Sequence, residues 1–199
     1  RMVDFPISNL SNSGIDRIQV YVKEKPRTLV SHIGTGRHYN INSKSGRLQV
    51  LFTDSDQRNN IYNTDIASYY ENMECIKEMH HPYVVITPDY MVYTADFSKL
   101  IDQHIQSEAD ITLLYHAVDN AKDAYLNCNI LNLNKQKGVL SIEPNHGNAK
   151  NRNIFMDTYI MKKDLFIELI RKAKAISSAF TLADIINCLL YTSPSPRDA

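Results

Sequence analysis

Residues 1–22, RMVDFPISNLSNSGIDRIQVYV, set a helix, a stop and a strand in immediate succession. Asp4 is placed to cap the helix, Pro6 suits its first turn, and Ile7, Leu10 and Ile15 supply an apolar stripe. Gly14 follows the last turn, where a residue without a side chain relaxes into the left-handed cap. Ile18, Val20 and Val22 then alternate as a strand. An α/β sheet carries its phosphate-binding loop on the first strand, ahead of the first helix. The sequence opens at Arg1 with no methionine, so this reading expects that strand and its loop to lie upstream.

Working outward, strands and helices keep alternating. Arg27 to Ile33 reads as a short helix with Leu29, Val30 and Ile33 inward, ended by Gly34 and Gly36. Leu48 to Thr53 is a strand. Asp65 to Met79 has Ile66, Tyr69, Tyr70, Met73, Ile76 and Met79 at helical spacing, with Thr64 as its cap. Tyr69 and Tyr70 read as packing residues rather than stacking platforms. Tyr83 to Thr87 is continuously apolar, which suits a parallel strand covered on both faces. Phe97 to Ile105 is helical behind a capping Asp96, and Ile111 to Tyr115 is a strand. The rhythm then breaks: Leu126 to Leu133 and Val139 to Ile142 flank a Lys-Gln-Lys-Gly turn, a hairpin signal. Ile154 to Met161 returns as a strand, followed by helices over Asp164 to Ala175 and Leu182 to Leu190. The expected fold class is α/β, a doubly wound, mostly parallel sheet with right-handed crossovers and an antiparallel hairpin insertion. Residues 1–190 form one domain without repeats or linkers. The last nine residues, YTSPSPRDA, carry two prolines and no periodicity, and are expected to be a non-native tail.

A chain of 199 residues can bury roughly 70% of its unfolded surface. Lys plus Arg equals Asp plus Glu at 22 each, and no basic run is interleaved with aromatics, so nucleic acid is not an expected partner. No apolar run reaches the roughly 18 residues that span a bilayer, and no secretory signal is present. Cys75, Cys128 and Cys188 are odd in number and set in apolar patterns, which suits buried thiols in a reducing cytoplasm. Adjacent His80 and His81 close a helix, where cations complement its dipole, and they lack metal-ligand spacing.

Ligands of a doubly wound sheet bind at the carboxyl ends of its strands. The strand PYVVIT runs into Pro88-Asp89 and so delivers a carboxylate to such an end. Asp89 there is either a Mg²⁺ ligand beside substrate phosphates or the cap of a turn.

Several stretches resemble glucose-1-phosphate adenylyltransferases (ADP-glucose pyrophosphorylases). RMVDFPISNLSNSGIDRI is similar to the family segment R-x-x-D-F-x-L-S-N-x-x-N-S-G-I. RTLVSHIGTG resembles its helix ending in H-I before a Gly-containing turn, and YYENMECI its Y-x-N-L-x-x-I helix. PYVVITPDYMVYTADFSKLIDQHIQSEADITL resembles Y-V-L-I-x-x-D-x-x-Y-x-x-D-Y-x-x-x-L-x-x-H-x-x-x-x-A-D-x-T. The resemblance covers about residues 1–190 in order. It implies transfer of the adenylyl group of ATP to glucose 1-phosphate, giving ADP-glucose for glycogen or starch and releasing pyrophosphate. It also implies Mg²⁺ on acidic residues and basic side chains clamping the phosphates.

The departures from that pattern are as informative as the matches. The family's W-Y-x-G-T-A-D falls on Ile61 to Ala67: Tyr62 is kept as a nucleotide-binding position, while the glycine becomes Thr64 and the acid Ala67. A side chain at Thr64 hinders close backbone approach to a nucleotide. G-D-H-x-Y-K-M-D falls on the segment from Pro88 to Asp96, which keeps Asp89 but loses the glycine and lysine. F-x-E-K-P is met by Ser141-Ile142-Glu143-Pro144, which leaves Glu143 as the sugar-phosphate position without its lysine. S-M-G becomes Phe155-Met156-Asp157, and the second metal-binding acid falls on Phe180. The Gly-rich loop would precede Arg1. Scaffold positions are kept and substrate-facing ones replaced, so the chain is similar to the GlgD-type regulatory branch. The expected partners are a catalytic adenylyltransferase paralogue in a hetero-oligomer, with ATP and glucose 1-phosphate or small-molecule effectors as ligands. A catalytically competent sugar-phosphate nucleotidyltransferase, and a non-enzymatic sugar-nucleotide-binding α/β domain, are the alternatives.

Overall fold

The computed structural model describes residues 2–23, 26–34, 36–41, 46–53 and 60–192. Its opening follows the sequence pattern. Helix α1 (Asp4–Asn12) buries Pro6, Ile7 and Leu10, and Gly14 (φ 80°) turns the chain into β1 (Arg17–Val22). Asp4 does not cap: the N-cap is Val3, and the Asp4 carboxylate instead accepts from the Tyr39 hydroxyl and meets His32 Nε2 at 2.9 Å. Those longer-range partners hold its pKa below the ordinary carboxylate value, with the Tyr39 bond the largest cause.

Helix α2 (Pro26–Ile33) buries Ile33 fully, whereas Val30, expected inward, lies 41% exposed. Strand β2 (Arg47–Phe52) pairs in parallel with β1 in register from Arg17↔Arg47 to Val22↔Phe52. The expected helix from Asp65 to Met79 is two helices, α3 (Asp65–Glu71) and α4 (Met73–Lys77). Thr64 caps the first as expected, its Oγ1 accepting from Ala67 N at 3.2 Å. The break falls at Asn72, whose side chain donates to Ser68 O at 3.0 Å and Phe52 O at 3.2 Å. Asparagine competes with the helix for backbone partners, and periodicity cannot register that competition.

Strand β3 (Tyr83–Ile86) is followed by α5 (Phe97–Ser107), with Asp96 accepting from Lys99 N, and then by β4 (Ile111–Val118). The hairpin joins β5 (Asn129–Leu133) to β6 (Val139–Pro144). Its turn is tied by Asn134 Oδ1, which accepts from Gln136 N and Gly138 N. Strand β7 (Arg152–Lys162), α6 (Lys163–Ile176) and α7 (Leu182–Thr192) complete the chain. Helix α7 takes in Tyr191 and Thr192, and residues 193–199 lie outside the described ones.

Sheet A is the parallel pair β1–β2, and sheet B has five strands in which β7 pairs antiparallel with β3, β4 and β5. The apolar run of β3 therefore reports cover on both faces and not parallel neighbours. Val84 packs into a core with Phe155, Met161 and Ile170, and Val85 into another with Ile7, Ile18 and Phe97. Removing a side chain such as Ile170 or Phe97 from water contributes about 1.5–3 kcal/mol.

His104 is 2% exposed, held by Thr112 Oγ1 at 2.6 Å and edge-on to Tyr83 at 5.7 Å. Burial, then the positive charge of Lys162, lower its pKa, and Asp110 opposes them. The unfolded chain takes up this proton first, so stability is complete above about pH 6.5 and is lost as pH falls below it. Thermal unfolding followed by circular dichroism should show this loss between pH 7 and 5. His104→Gln should flatten the slope in that window, and an unchanged slope would exclude His104 as its source.

Candidate functional site

Two side chains set the direction of the strands. Lys23 Nζ, just past the carboxyl end of β1, donates to Asn63 O at 2.7 Å, and Gln19 Nε2, earlier in β1, donates to Cys75 O at 2.9 Å. The α3–α4 segment thus descends antiparallel to β1, and β3, which follows it, rises parallel to β1. A cavity of about 1350 Å³ lies between these strands. Ile18, Val20, Val84 and Ile86 line its flanks, while Lys23, Asn63, Asp65 and Asp89 sit where the carboxyl ends of β1 and β3 and the start of α3 converge.

Asp65 organises that rim. Its Oδ1 accepts from Ile66 N at 2.7 Å and from Leu182 N at 3.1 Å, joining the starts of α3 and α7. Burial nevertheless raises its pKa, against the lowering effect of those two bonds and of Lys23. Asp157 lies on β7 outside the cavity lining, yet within reach of the Asp65 charge. Opposite β4, the register jumps from Leu114↔Thr158 to Tyr115↔Phe155, so Met156 and Asp157 form a bulge, and Asp157 takes φ 44°. Bulges re-aim side chains, and aspartate tolerates the left-handed region better than most residues. Burial and the neighbouring Asp65 charge push the Asp157 pKa up to about 6. Tyr21, Tyr69 and Phe166 form an edge-to-face run beside the rim, with centroids 4.9 and 5.0 Å apart. Burial raises the phenol pKa of both tyrosines, so they remain neutral. Asn63 Oδ1 is a buried acceptor with no hydrogen-bond partner among the described residues.

The expected site residues separate. Asp89 is exposed and lines the cavity at the end of β3. Tyr62, in a 3-10 turn ending just before Asn63, is 42% exposed and does not line it. Glu143 lies on β6, accepting from Ser141 Oγ at 3.0 Å, also away from the cavity. Tyr69 packs as expected, but Tyr70 is 46% exposed, with Lys174 Nζ 5.5 Å from its ring centre. Against the expectation of buried thiols, Cys188 is exposed and Cys75 and Cys128 are half-buried. Among the described residues no three His, Cys, Asp or Glu side chains gather to hold a metal ion. No described helix is long and apolar enough to cross a membrane.

Sequence reasoning missed Lys23, Asn63 and Asp65, which share the cavity rim, and Asp157, which the Asp65 charge reaches. Lys23 was findable as the first charge after an apolar strand, and Asp65 as the residue after a helix cap. Asp157 was not, because a bulge has no periodic signature.

The nucleotidyl transferase family matches residues 1–191. The chain is 30% identical over 161 residues to a glucose-1-phosphate adenylyltransferase of Clostridium perfringens (strain SM101), covering 80% of this chain and 41% of that protein. Identity to the glucose-1-phosphate adenylyltransferase of Clostridioides difficile is 29% over 161 residues, with the same coverage. To that of Lachnospira eligens it is 28% over 172 residues, 85% of this chain and 41% of the relative. The chain therefore spans about two fifths of the length of these curated relatives.

Asp157 gives a test of the charge carried by Asp65 and its surroundings. Its folded pKa stands above the ordinary 3.8, so the folded state gains stability as pH falls through about 6 towards 4 and carries a disfavoured charge above that. Asp157→Asn should stabilise the protein at pH 7.5 by on the order of 2 kcal/mol, about 4–8 °C in Tm. At pH 4.5 the gain should nearly vanish. An equal change at both pH values would mean that the carboxylate charge is not what the site resists.

Proposed function

The chain belongs to the nucleotidyl transferase family, and from that premise we propose that it is part of a glucose-1-phosphate adenylyltransferase subunit whose role is regulatory. On this reading the chain is a piece of a longer protein, with residues 1–190 its nucleotidyltransferase-like domain and 191–199 a non-native tail. The subunit works in the cytoplasm beside a catalytic paralogue in glycogen synthesis.

The observation that carries the reading is the chemistry of the rim. Transfer of an adenylyl group places the sugar phosphate oxygen on the α-phosphorus of ATP and expels pyrophosphate. Positioning and charge stabilisation supply most of such catalysis. A rim suited to that task presents basic groups and open backbone. Here the charge of Asp65, buried at the rim, reaches as far as Asp157 and raises its pKa, and the Lys23 ammonium is drawn onto the Asn63 carbonyl. Where the family pattern has a glycine, Thr64 spends its hydroxyl on capping α3 and is 8% exposed. ATP, glucose 1-phosphate or an effector can bind such a rim without being turned over.

One observation favours a competent enzyme: Asp89 stands exposed at the carboxyl end of β3. Mg²⁺ is commonly held by one or two carboxylates with water and substrate phosphates completing its shell, and Asp89 fits that single-carboxylate role. The ion would supply charge neutralisation on the phosphates. Tyr62 and Glu143 belong to that reading as nucleotide and sugar-phosphate contacts. A sugar-nucleotide-binding domain without chemistry is the remaining alternative.

The full-length subunit alone should make little ADP-glucose, at least tenfold less per site than its catalytic paralogue, and should raise the activity or effector response of that partner when co-purified. Turnover by the homo-oligomer equal to the paralogue's would reject the regulatory role. Any residual activity should disappear in Asp89→Asn with weakened Mg²⁺ dependence, and unchanged activity would remove Asp89 from the site.

A further inference from the structure

A second cavity, of about 790 Å³, shares no lining residue with the one between β1 and β3. Its size falls within the roughly 300–1,000 Å³ of small-molecule sites. Strands β3 and β4 run the same way, both antiparallel to β7, but β4 reaches further. The last β3 pair is Ile86↔Tyr159, whereas β4 continues to Val118↔Arg152, roughly 20 Å along β7. The second cavity lies at that carboxyl end of β4, a position at which α/β sheets take ligands. Its lining is polar and balanced in charge. Asn120, Asn151 and Asn153 bring three carboxamides, and Asp119 and Arg152 bring one charge of each sign. None of these five side chains makes a hydrogen bond or ion pair with another described residue, so their polar atoms are open to a ligand. Tyr125 adds a ring that is 44% exposed, on a backbone with φ 60°. That conformation is rare for a bulky residue, and glycine reaches it more cheaply. Asn145, 4% exposed, imposes it: its Nδ2 donates to Ala121 O at 2.8 Å, Tyr125 O at 3.0 Å and Ala124 O at 3.3 Å. Gly147 permits the close approach, since a Cβ there would stand 2.9 Å from Lys122 O. The loop over 119–128 is thus fixed around an aromatic residue held in strain, and such strain gathers at ligand clamps.

We propose that this cavity binds a neutral saccharide, whose hydroxyls pair with the three carboxamides, Asp119 and Arg152 and whose ring lies on Tyr125. The chemistry of the lining selects that class. A sugar hydroxyl both donates and accepts, as a carboxamide does, while the carboxylate only accepts and the guanidinium only donates. Adjacent hydroxyls are therefore met by adjacent groups of either kind. The C–H face of a sugar ring is apolar, and tyrosine presents an apolar body with a polar tip. A polyphosphate or nucleic acid would call for surplus positive charge, and here Asp119 cancels Arg152. An apolar ligand would cover the carboxamides and leave them unpaired. A free sugar and the end of a glucan chain share the chemistry that fits.

Isothermal titration calorimetry of the full-length protein with glucose and with maltohexaose tests this without reference to activity. The choice of glucose sugars as probes rests on the proposed place in glycogen synthesis, and the site itself does not. At least one probe should bind saturably, at one site per chain. A preference for maltohexaose would identify a glucan chain as the occupant, and a preference for glucose a free sugar. Tyr125→Gly should weaken binding at least tenfold while Tm without sugar holds, because glycine adopts the φ of 60° without strain. Asn151→Ala, at an exposed residue, should weaken binding severalfold with Tm unchanged. Binding of neither sugar, or equal binding by Tyr125→Gly, overturns the proposal. Tighter binding of inorganic phosphate or ATP that is lost in Arg152→Gln would make this an anion site and overturn it equally. Stimulation of a catalytic partner is a separate measurement, so failure of either reading leaves the other to stand on its own result.

Discussion

The larger sheet depends on a single strand that must satisfy neighbours on both edges. β7 bonds β4 along one side and β3 and β5 along the other, so its backbone groups are committed almost throughout. Phe155, Thr158 and Met161 are fully buried, and Thr158 Oγ1 reaches both Met156 O and the Tyr93 hydroxyl. A strand so constrained has one means of presenting a side chain elsewhere, which is to break register. The bulge at Met156 and Asp157 does this, and it leaves the Asp157 carboxylate under the influence of Asp65.

Much of the fold was legible because burial leaves a periodic trace. The alternation of Ile18, Val20 and Val22, the Thr64 and Asp96 caps, and the turn before Gly138 were each read from local chemistry and are each present. Failures of reading occur where a polar side chain chose a distant partner. Asp4 left its own helix for Tyr39 and His32, and Asn72 divided a continuous apolar stripe by bonding Phe52 and Ser68. No window of sequence contains both members of such pairs.

The site was less legible for the same reason. Asp89 was found because strand ends are where ligands bind, a rule about position. Lys23, Asp65 and Asp157 lie up to 134 positions apart, and the raised pKa values of the two aspartates follow from burial, with the Asp65 charge adding to that of Asp157, which composition cannot express. Resemblance aligned Asp157 with a glycine. The positive φ at that residue gives a physical reason for the correspondence: the backbone conformation is of the kind that glycine adopts most easily.

The dominance of β7 also sets a timetable for synthesis. β1 and β2 can pair once the chain through Phe52 has emerged, closing a short loop. β3 has no described strand partner until β7 arrives roughly 75 residues later, and β4 waits for the same strand. At about 5–20 residues per second, the apolar Tyr83–Ile86 edge stays unpaired for about 4–15 s on the ribosome. The strand that unifies the finished sheet is thus also the reason its earlier members need protection while the chain is being made.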